Sequence, residues 1–408
     1  MKRWILSLLL MPSALWLTAQ NLSGTFTGKL DLGLQKLTIV LEIAPDGSAV
    51  MKSPDQTDQA IPAVTDFLSA DSVAVSVPML QASYAGRLVG NELRGQFVQR
   101  TVRLPLTLKA GELVRRRPQT PVAPFPYKTE EVTFINEQDG ATLAGTLTMP
   151  VSSPLGESGS GLVLLMVTGS GQQNRDEELM GHKPFAVIAD YLARQGIATL
   201  RYDDRATGAS TGGDLVKATS EDFAHDAEAG IRFLRQTGRF QKVGIIGHSE
   251  GGMIAFMLGA RQLVDFVVSL AGPAVSGDSI IWKQLQVMGM GAGLTVEQVR
   301  LQQQMSGQPW LQYFSAYDPS GNIRRITCPV FALNGTKDVQ VDAEMNLSAL
   351  RRLLPPNSQT LIKSYADLNH LFQHCTTGRP DEYAEMEETI SEEVLEDIVT
   401  WLSSLARL

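Results

Sequence analysis

A serine at position 249 stands in the surroundings that nucleophilic catalysis requires. Residues 247–252 read Gly-His-Ser-Glu-Gly-Gly, after the apolar run 243–246 and before a helical pattern over 253–258. Such a segment between a strand and a helix predicts a sharp turn that exposes the serine hydroxyl at the edge of a sheet. Glycines permit so tight a turn, and free N–H groups at a helix start favour negative charge nearby. The flanking strand and helix favour this interpretation over a chance match in a loop.

A base and an acid must accompany such a serine, and both follow it in a workable order along the chain. Asp338 comes after the apolar strand predicted over 330–334, which places it at the C-terminal end of that strand. His370 comes after the last predicted strand, 360–362, where a base would lie above the sheet. We therefore predict a Ser249, Asp338 and His370 triad.

Rival residues exist for both roles. Asp342 is the alternative acid, but it lies farther from the end of its strand. His374 is the alternative base, since it follows His370 by about one helical turn. The remaining histidines fit less well, because two precede the nucleophile and one is held in its turn, where we expect it to point away: His182, His225 and His248.

Two backbone N–H groups are expected to bind the oxyanion of an acyl-transfer intermediate. One belongs to Glu250, the residue after the nucleophile, and we assign the other to Ser170. The loop Thr168-Gly169-Ser170-Gly171 follows the strand predicted over 162–167. A phosphate-binding glycine loop is the alternative, but no Gly-Lys-Ser/Thr follows.

Metal chemistry is not indicated. The run Asp203-Asp204-Arg205 could suggest a carboxylate site for a cation, but no histidine or cysteine joins it. A hydrogen-bonded structural turn is the better interpretation. We expect no metal and no cofactor.

The elements that must position these residues alternate between strand and helix from residue 162 onwards. Helical patterns over 184–195 and from Ser220 separate the predicted strands, and the last helix has apolar residues at helical spacing from Val394 to Leu405. Alternating units of this kind predict a doubly wound, mostly parallel sheet within an α/β domain, residues 129–408. Residues 273–328 exceed one crossover helix and are predicted to form a helical cap rich in Met and aromatic residues.

The first part of the chain has a different pattern. Residues 21–112 alternate as strands do, with Asp46-Gly47 as a hairpin signal, and predict a small antiparallel all-β barrel or sandwich. Residues 113–128 contain four prolines and the run Arg115-Arg116-Arg117. We interpret them as an extended linker in which the arginines are solvated.

Composition describes an ordinary globular protein of 408 residues, with 43% hydrophobic and 19% charged residues. The net charge of −8 argues against nucleic-acid binding. Residues 1–20 combine a basic start, a short apolar run and small residues, which predicts a signal peptide and an exported, periplasmic or secreted protein without a stable membrane anchor. Cys328 and Cys375 are expected at different ends of a sheet strand, and therefore as two free, buried thiols.

Several motifs together carry a family resemblance. They are Gly169-Ser170-Gly171, Asn174-Arg175-Asp176-Glu177, His182-Lys183-Pro184-Phe185, Arg201-Tyr202-Asp203-Asp204-Arg205 and residues 247–252. In these motifs the chain resembles bacterial α/β-hydrolases, exported carboxylesterases that carry an extra N-terminal β domain. The resemblance covers residues 128–408 strongly and implies hydrolysis of short acyl esters by the predicted triad. Gln172 and Ala206 depart from the pattern where proline and glycine are expected, near the predicted rim of the acyl pocket.

Three functions follow as hypotheses. The first is a serine carboxylesterase whose only partner is a small-molecule ester with a short acyl chain. The second is a serine peptidase of the prolyl-oligopeptidase type, although about ninety N-terminal residues cannot build the propeller that such enzymes carry. The third is a ligand-binding protein on a hydrolase scaffold, which the triad disfavours. The natural ester and the oligomeric state stay open.

Overall fold

The computed structural model describes residues 22–33, 36–112, 115–150 and 161–406. The chain divides into two compact units, residues 1–114 and 115–408. The predicted signal peptide, residues 1–20, lies outside the described residues. Within the described residues no helix is long and apolar enough to cross a bilayer.

The first unit is a closed antiparallel barrel of eight strands in chain order. The strands are β1 (Gly24–Asp31), β2 (Lys36–Ile43), β3 (Ala49–Ser53), β4 (Thr57–Leu68), β5 (Ser72–Val77), β6 (Ala82–Val89), β7 (Glu92–Gln99) and β8 (Val102–Ala110). β1 pairs with both β2 and β8, which closes the barrel. The predicted all-β domain is confirmed as a barrel, with a hairpin at residues 44–48. Strands β3 and β4 were not predicted.

Side chains fill the barrel interior. Leu41, Val75, Leu93 and Leu108 are completely buried. In β5 fully buried and partly exposed positions alternate along the strand, as the period of a strand requires. Tyr84 is also buried, and its hydroxyl donates a hydrogen bond to the Leu93 carbonyl at 2.9 Å. The interior is therefore a packed core.

The second unit is built on one mixed sheet of eight strands in the order β9-β10-β12-β11-β13-β14-β15-β16. The strands are β9 (Tyr127–Ile135), β10 (Thr142–Pro150), β11 (Leu162–Val167), β12 (Ala198–Tyr202), β13 (Lys242–His248), β14 (Val267–Leu270), β15 (Val330–Gly335) and β16 (Leu361–Tyr365). β10 pairs antiparallel with β9 and β12, and the other neighbours are parallel. This is the predicted doubly wound, mostly parallel sheet.

Helices cover both faces of this sheet. They are α1 (Pro184–Arg194), α2 (Ser220–Gln236), α3 (Glu250–Ala260), α4 (Gly277–Val287), α5 (Val296–Gln304), α6 (Pro309–Ala316), α7 (Ser320–Ile323), α8 (Ala343–Leu353) and α9 (Glu392–Ala406). Ile188 of α1 and Leu395 of α9 belong to one apolar core, and Phe256 of α3 and Leu347 of α8 to the other. Strands β11, β13 and β15 are therefore buried on both sides, which explains their continuous apolar runs.

Two local predictions differ from the structure. Thr219, not Ser220, is the N-cap of α2, and its N–H donates to Asp222 Oδ2 at 2.8 Å. The segment predicted as a solvated linker is attached to the second unit at Arg117 and Gln119. The Arg117 guanidinium donates to the carbonyls of residues 180, 384 and 386, at 2.7 to 3.0 Å. An arginine can satisfy several carbonyls at once because its donors form a fixed planar fork.

Four helices, α4 to α7, lie between β14 and β15. They occupy the segment 273–328 that was predicted as a cap. Trp310 and Phe314 of α6 stack with ring centroids 5.3 Å apart. This segment brings apolar side chains to the end of the sheet at which β13 and β15 terminate.

Both cysteines are free. They are partly buried rather than fully buried. Burial raises the pKa of the Cys328 thiol to about 11, which disfavours the thiolate form at neutral pH.

Candidate active site

Ser249 occupies the sharp turn between β13 and α3. Its backbone has φ 52° and ψ −120°, in the region that L-residues rarely adopt. A Cβ on Gly247 would lie 2.0 Å from the Gly251 carbonyl oxygen, and one on Gly251 would lie 2.1 Å from the Val167 oxygen. The glycines are therefore required by close backbone contacts, and the strained turn presents the Ser249 side chain to a cavity.

Asp338 and His370 are in direct contact. Asp338 follows β15, and the loop after β16 carries His370, so neighbouring parallel strands deliver both side chains to one edge of the sheet. His370 Nδ1 donates to Asp338 Oδ2 at 2.7 Å, and both residues are buried. The N–H groups of Gln340 and Val341 donate to Asp338 Oδ1 at 2.8 Å each. The carboxylate is thus held in a fixed orientation against the ring.

The rival residues occupy other positions. Asp342 is the N-cap of α8, and it accepts the Met345 N–H at 2.9 Å. Its other neighbour is Lys283 at 3.3 Å. The His374 side chain is 63% exposed and pairs with Glu388 at 2.9 Å. His370 lines the cavity with Ser249, and His374 is not among the residues that line it.

The loop after β11 lies beside the serine, as predicted. A Cβ on Gly169 would be 3.2 Å from the Ser249 Cβ, which shows how closely the loop approaches the nucleophile. Glu177 Oε1 accepts the Gly169 N–H at 2.7 Å, whereas the Ser170 N–H has no recorded protein acceptor among the described residues. The Glu250 N–H lies in the first turn of α3, where backbone N–H groups have no partner within the helix. The oxyanion role predicted for Ser170 and Glu250 stays a prediction, for which the nearness of the Gly169 loop to Ser249 is the supporting observation.

The Glu250 side chain is buried and connects three parts of the site. Its Oε1 accepts from the Ser220 hydroxyl at 2.6 Å and from the Trp310 indole N–H at 2.9 Å. The Ser170 hydroxyl also hydrogen bonds to this carboxyl. Burial raises the pKa of Glu250, and the hydrogen bonds oppose that rise. The Glu250 side chain therefore links the cap helix α6 to the segment that carries the nucleophile.

His248 and Glu177 belong to the site, although the sequence did not indicate it. His248 was expected to point away, but it lines the cavity, and its ring centroid lies 4.6 Å from that of His370. His248 Nδ1 contacts Glu177 Oε1 at 2.9 Å. The two residues are 71 positions apart, so no local spacing could have revealed the pair.

A cavity of about 490 Å³ joins these groups. Its lining includes Ser170, Ser249 and His370, together with apolar residues contributed largely by the cap and by the loops after β15 and β16: Pro273, Ile280, Ile281, Trp310, Leu311, Phe314, Val341 and Leu371. Volumes of 300 to 1,000 Å³ are typical of small-molecule sites. The cavity is therefore large enough for a small acyl or alcohol group.

Gln172 and Ala206 are not among the residues that line this cavity, although Gln173, beside Gln172, is one of them. Ala206 has φ 55°, a left-handed conformation that glycine adopts without strain. The left-handed backbone conformation at this position therefore explains why glycine is expected there.

The Asp203-Asp204-Arg205 turn is held by hydrogen bonds. Arg175 donates to both oxygens of Asp203, and Arg205 donates to both oxygens of Asp226. Asp204 accepts from Thr168 and from the Gln173 N–H, each at 2.9 Å. Among the described residues no group of three or more His, Cys, Asp or Glu side chains could hold a metal ion.

The sheet order, the strained serine turn and the Ser-Asp-His order along the chain together define an α/β-hydrolase fold. A family model described as serine aminopeptidase, S33 (Hydrolase_4) matches residues 182–320, about a third of the chain. The chain is 26% identical to the esterase EstD of Thermotoga maritima over 276 residues, which are 64% of this chain and 65% of that protein. The match thus spans less than two thirds of that relative's length.

Solved structures also resemble the chain. The esterase Pf2001 of Pyrococcus furiosus is 16% identical, with 72% of this chain and 98% of that chain covered and a TM-score of 0.46. The α/β hydrolase GrgF of Penicillium sp. is 15% identical, with 69% and 100% covered and a TM-score of 0.49. By its own sheet order and strained serine turn, the chain has an α/β-hydrolase fold preceded by an N-terminal all-β barrel, and its sequence is similar to that of an esterase.

Proposed function

We propose that the protein is a serine carboxylesterase that hydrolyses short-chain acyl esters through an acyl-enzyme. One observation carries the proposal: His370, whose Nδ1 is hydrogen bonded to Asp338, lines the same cavity as the strained Ser249. A nucleophile and a base that share one small cavity, with an acid behind the base, are what acyl transfer requires. The 26% identity to an esterase supports the same reaction.

The chemistry follows from these positions. The Ser249 oxygen attacks the ester carbonyl carbon while His370 Nε2 takes the hydroxyl proton, and Asp338 stabilises the imidazolium that forms. The N–H groups of Ser170 and Glu250 hold the negative carbonyl oxygen. His370 then gives its proton to the leaving alcohol, and a water molecule repeats the sequence to release the acid.

The preference for short acyl chains rests on the cavity. Trp310 and Phe314 stack within its wall, and the carboxyl of Glu250 holds Trp310 in place. Such a wall favours acetyl and butyryl groups over long chains. We further propose, on the basis of residues 1–20, that the protein is exported.

A fluorophosphonate probe, followed by mapping of the modified peptide, tests the proposed nucleophile. We expect one adduct, on Ser249, and turnover that survives exhaustive chelation. A panel of acetyl, butyryl, octanoyl and emulsified triglyceride esters then tests the substrate class. Absence of a Ser249 adduct would favour the binding-protein hypothesis, and faster turnover of the long-chain substrates would contradict the short-chain preference.

A serine peptidase is the second candidate, because the matching family model is described as a serine aminopeptidase. Peptide amides with a free N-terminus, measured beside the ester panel, separate the two. A higher kcat/KM for these amides than for any ester would favour the peptidase.

A further inference from the structure

Two buried ionisable side chains of the site have no part in the triad. His248 immediately precedes the nucleophile and is 7% exposed. Glu177 lies in the segment after β11 and is 5% exposed. Charged side chains are seldom buried to this extent unless they are paired. Their contacts therefore need an explanation beyond packing.

The pair connects the two loops on which catalysis depends. Glu177 Oε1 accepts the Gly169 N–H at 2.7 Å and contacts His248 Nδ1 at 2.9 Å. On the other side of the ring, His248 Nε2 donates to the His370 carbonyl at 2.9 Å. Three consecutive hydrogen bonds thus join the loop that carries the Ser170 N–H to the loop that carries the His370 ring.

The hydrogen-bond partners of His248 indicate how many protons its ring carries. Both nitrogens of His248 face acceptor atoms, a carboxylate oxygen and a carbonyl oxygen. A neutral imidazole has only one N–H, whereas an imidazolium has two. Burial lowers the pKa of His248, but the Glu177 carboxylate, the His370 carbonyl and the more distant Asp338 outweigh it, and the net shift is upward. The contacts are satisfied together when His248 is a cation and Glu177 an anion.

The surrounding backbone is shaped around this pair. Glu177 has φ 52°, a left-handed conformation that is strained for a residue with a side chain. A Cβ on Gly169 would lie 3.3 Å from Glu177 Oε1 and 3.6 Å from His248 Nδ1. Strained residues that persist beside an active site point to a functional constraint.

We propose that Glu177 and His248 form a buried ion pair that positions the oxyanion loop and the base loop relative to Ser249. The proposed reaction gives neither side chain a contact with the reacting atoms, so both members are positioning residues for the reaction proposed above. Displacement of either loop by about 1 Å is enough to lower the rate about a hundredfold.

Kinetics of isosteric variants test the proposal. We expect Glu177→Gln and His248→Gln to lower kcat about 10- to 100-fold while KM changes less than about threefold. Glu178→Gln is the matched control, because this neighbouring carboxylate pairs with Lys183 at 3.3 Å, outside the cavity. It should keep the wild-type kcat. A fall in kcat shared equally by Glu178→Gln, or an effect on KM alone in Glu177→Gln, would overturn the proposal.

A spectroscopic measurement on the unmodified protein covers the case in which a variant folds poorly. In ¹⁵N-histidine-labelled protein we expect one ring, identified by its loss in His248→Gln, to keep both nitrogens protonated at a pH just above the ordinary histidine pKa of 6.5. Glu177→Gln should convert it to a neutral tautomer. A His248 ring that is neutral in the wild-type protein would overturn the ion pair.

Labelling of the same proteins by the fluorophosphonate separates this inference from the proposed function. No labelling of wild-type Ser249 would overturn the esterase. Normal labelling of wild type and of Glu177→Gln at the same rate would overturn only the positioning pair.

Discussion

Asp338 and Asp342 lie four residues apart, yet their carboxylates are placed for different tasks. Asp338 uses one oxygen to accept two backbone N–H groups and the other to face His370. Asp342 uses its side chain to start α8. The difference arises from the turn after β15, which directs the first carboxylate to the sheet edge and leaves the second at a helix terminus.

This difference leads to a paired prediction. We expect Asp338→Asn to lower kcat by up to about 10⁴-fold, because an amide does not hold the ring in the required tautomer. Asp342→Asn should have little effect on turnover or stability, since asparagine caps helices about as well as aspartate. Steady-state turnover of a butyryl ester and thermal unfolding of both variants provide the measurement. Equal losses in the two variants would be incompatible with Asp338 as the triad acid.

The two histidines after β16 can be separated in the same way. We expect His370→Ala to lower kcat by about 10⁶-fold, as would Ser249→Ala, because the members of a triad act as a unit. His374→Ala should keep nearly normal turnover, since its ring pairs with Glu388 at the surface. The measurement is turnover of an acetyl ester at saturating substrate. Loss in His374→Ala with normal turnover in His370→Ala would show that the wrong base is assigned.

At the scale of elements, helix α6 contributes Trp310 to the wall of the cavity that we propose binds the acyl group. We expect Trp310→Phe to raise the octanoyl-to-butyryl ratio of kcat/KM, because the ring is no longer held by Glu250. Stability should fall by about 1–3 kcal/mol, since a buried acceptor loses its donor. Ester-panel kinetics and unfolding curves measure both effects.

Trp282→Phe is the matched control for this substitution. The Trp282 indole N–H donates to the Leu294 carbonyl at 2.8 Å inside the cap, and this residue is not among those that line the cavity. A similar loss of stability is expected without a change in chain-length preference. An equal change in the octanoyl-to-butyryl ratio in both variants would contradict a specific role of the Trp310–Glu250 contact. It would mean that loss of either tryptophan alters the cap in the same way.

His182 predicts how stability depends on pH. Its ring nitrogens contact Thr389 Oγ1 and the Tyr383 carbonyl at 2.9 Å each, and burial lowers its pKa to about 4. Because this folded-state pKa lies below the unfolded value of 6.5, protonation favours the unfolded chain. The contribution of the neutral ring is therefore complete above pH 6.5 and is lost as the pH falls towards 4.

We expect the free energy of unfolding to fall by up to about 3 kcal/mol from this group between pH 6.5 and pH 4. His182→Gln should be less stable at neutral pH but should show a shallower decline on acidification. Urea unfolding at a series of pH values measures the slope for both proteins. Identical slopes would contradict the assignment of this decline to His182.

Whether the sequence predicts an element or a contact depends on whether the interactions that hold it are local in the sequence. Strand β11 was predicted with its observed ends, because a central parallel strand is a continuous apolar run. Strand β4 was missed, since its pairing with β3 and β5 is irregular and it contains Pro62. The Ser249, Asp338 and His370 positions follow from strand ends. The Glu177–His248 contact depends on a fold in space, which no local pattern contains.

At the scale of the whole molecule, Arg117 and Gln119 belong to the second unit although they were predicted in a free linker. Gln119 Nε2 donates to the Ile390 carbonyl at 2.7 Å, and its oxygen accepts the Thr389 N–H at 2.6 Å. Arg117 and Gln119 contact residues 384–390, which also contact His182 and follow the His370 loop in the sequence. The segment that contains Arg117 and Gln119 therefore helps to hold the His370 loop in place.

We expect Arg117→Ala to lower the free energy of unfolding by about 2–3 kcal/mol, because charged hydrogen bonds to three carbonyls are lost together. Arg116→Ala is the control, since this side chain is exposed, and its effect should stay within about 0.5 kcal/mol. Chemical unfolding of both variants, in the full chain, provides the comparison. Equal changes in the free energy of unfolding for the two variants would support the original interpretation of the arginine run as part of a solvated linker.

The closed barrel has a consequence for how the molecule behaves in a crowded solution. Each of its eight strands is paired on both sides, so within the described residues this unit presents no open strand edge to a second molecule. Among the described residues the larger sheet ends in open edges, at β9 and β16. Along β9 the exposed residues include Lys128, Glu130 and Glu131, whose charges disfavour pairing with a strand from another molecule. Closure in one unit and charge along β9 in the other therefore disfavour strand pairing between molecules at these two places.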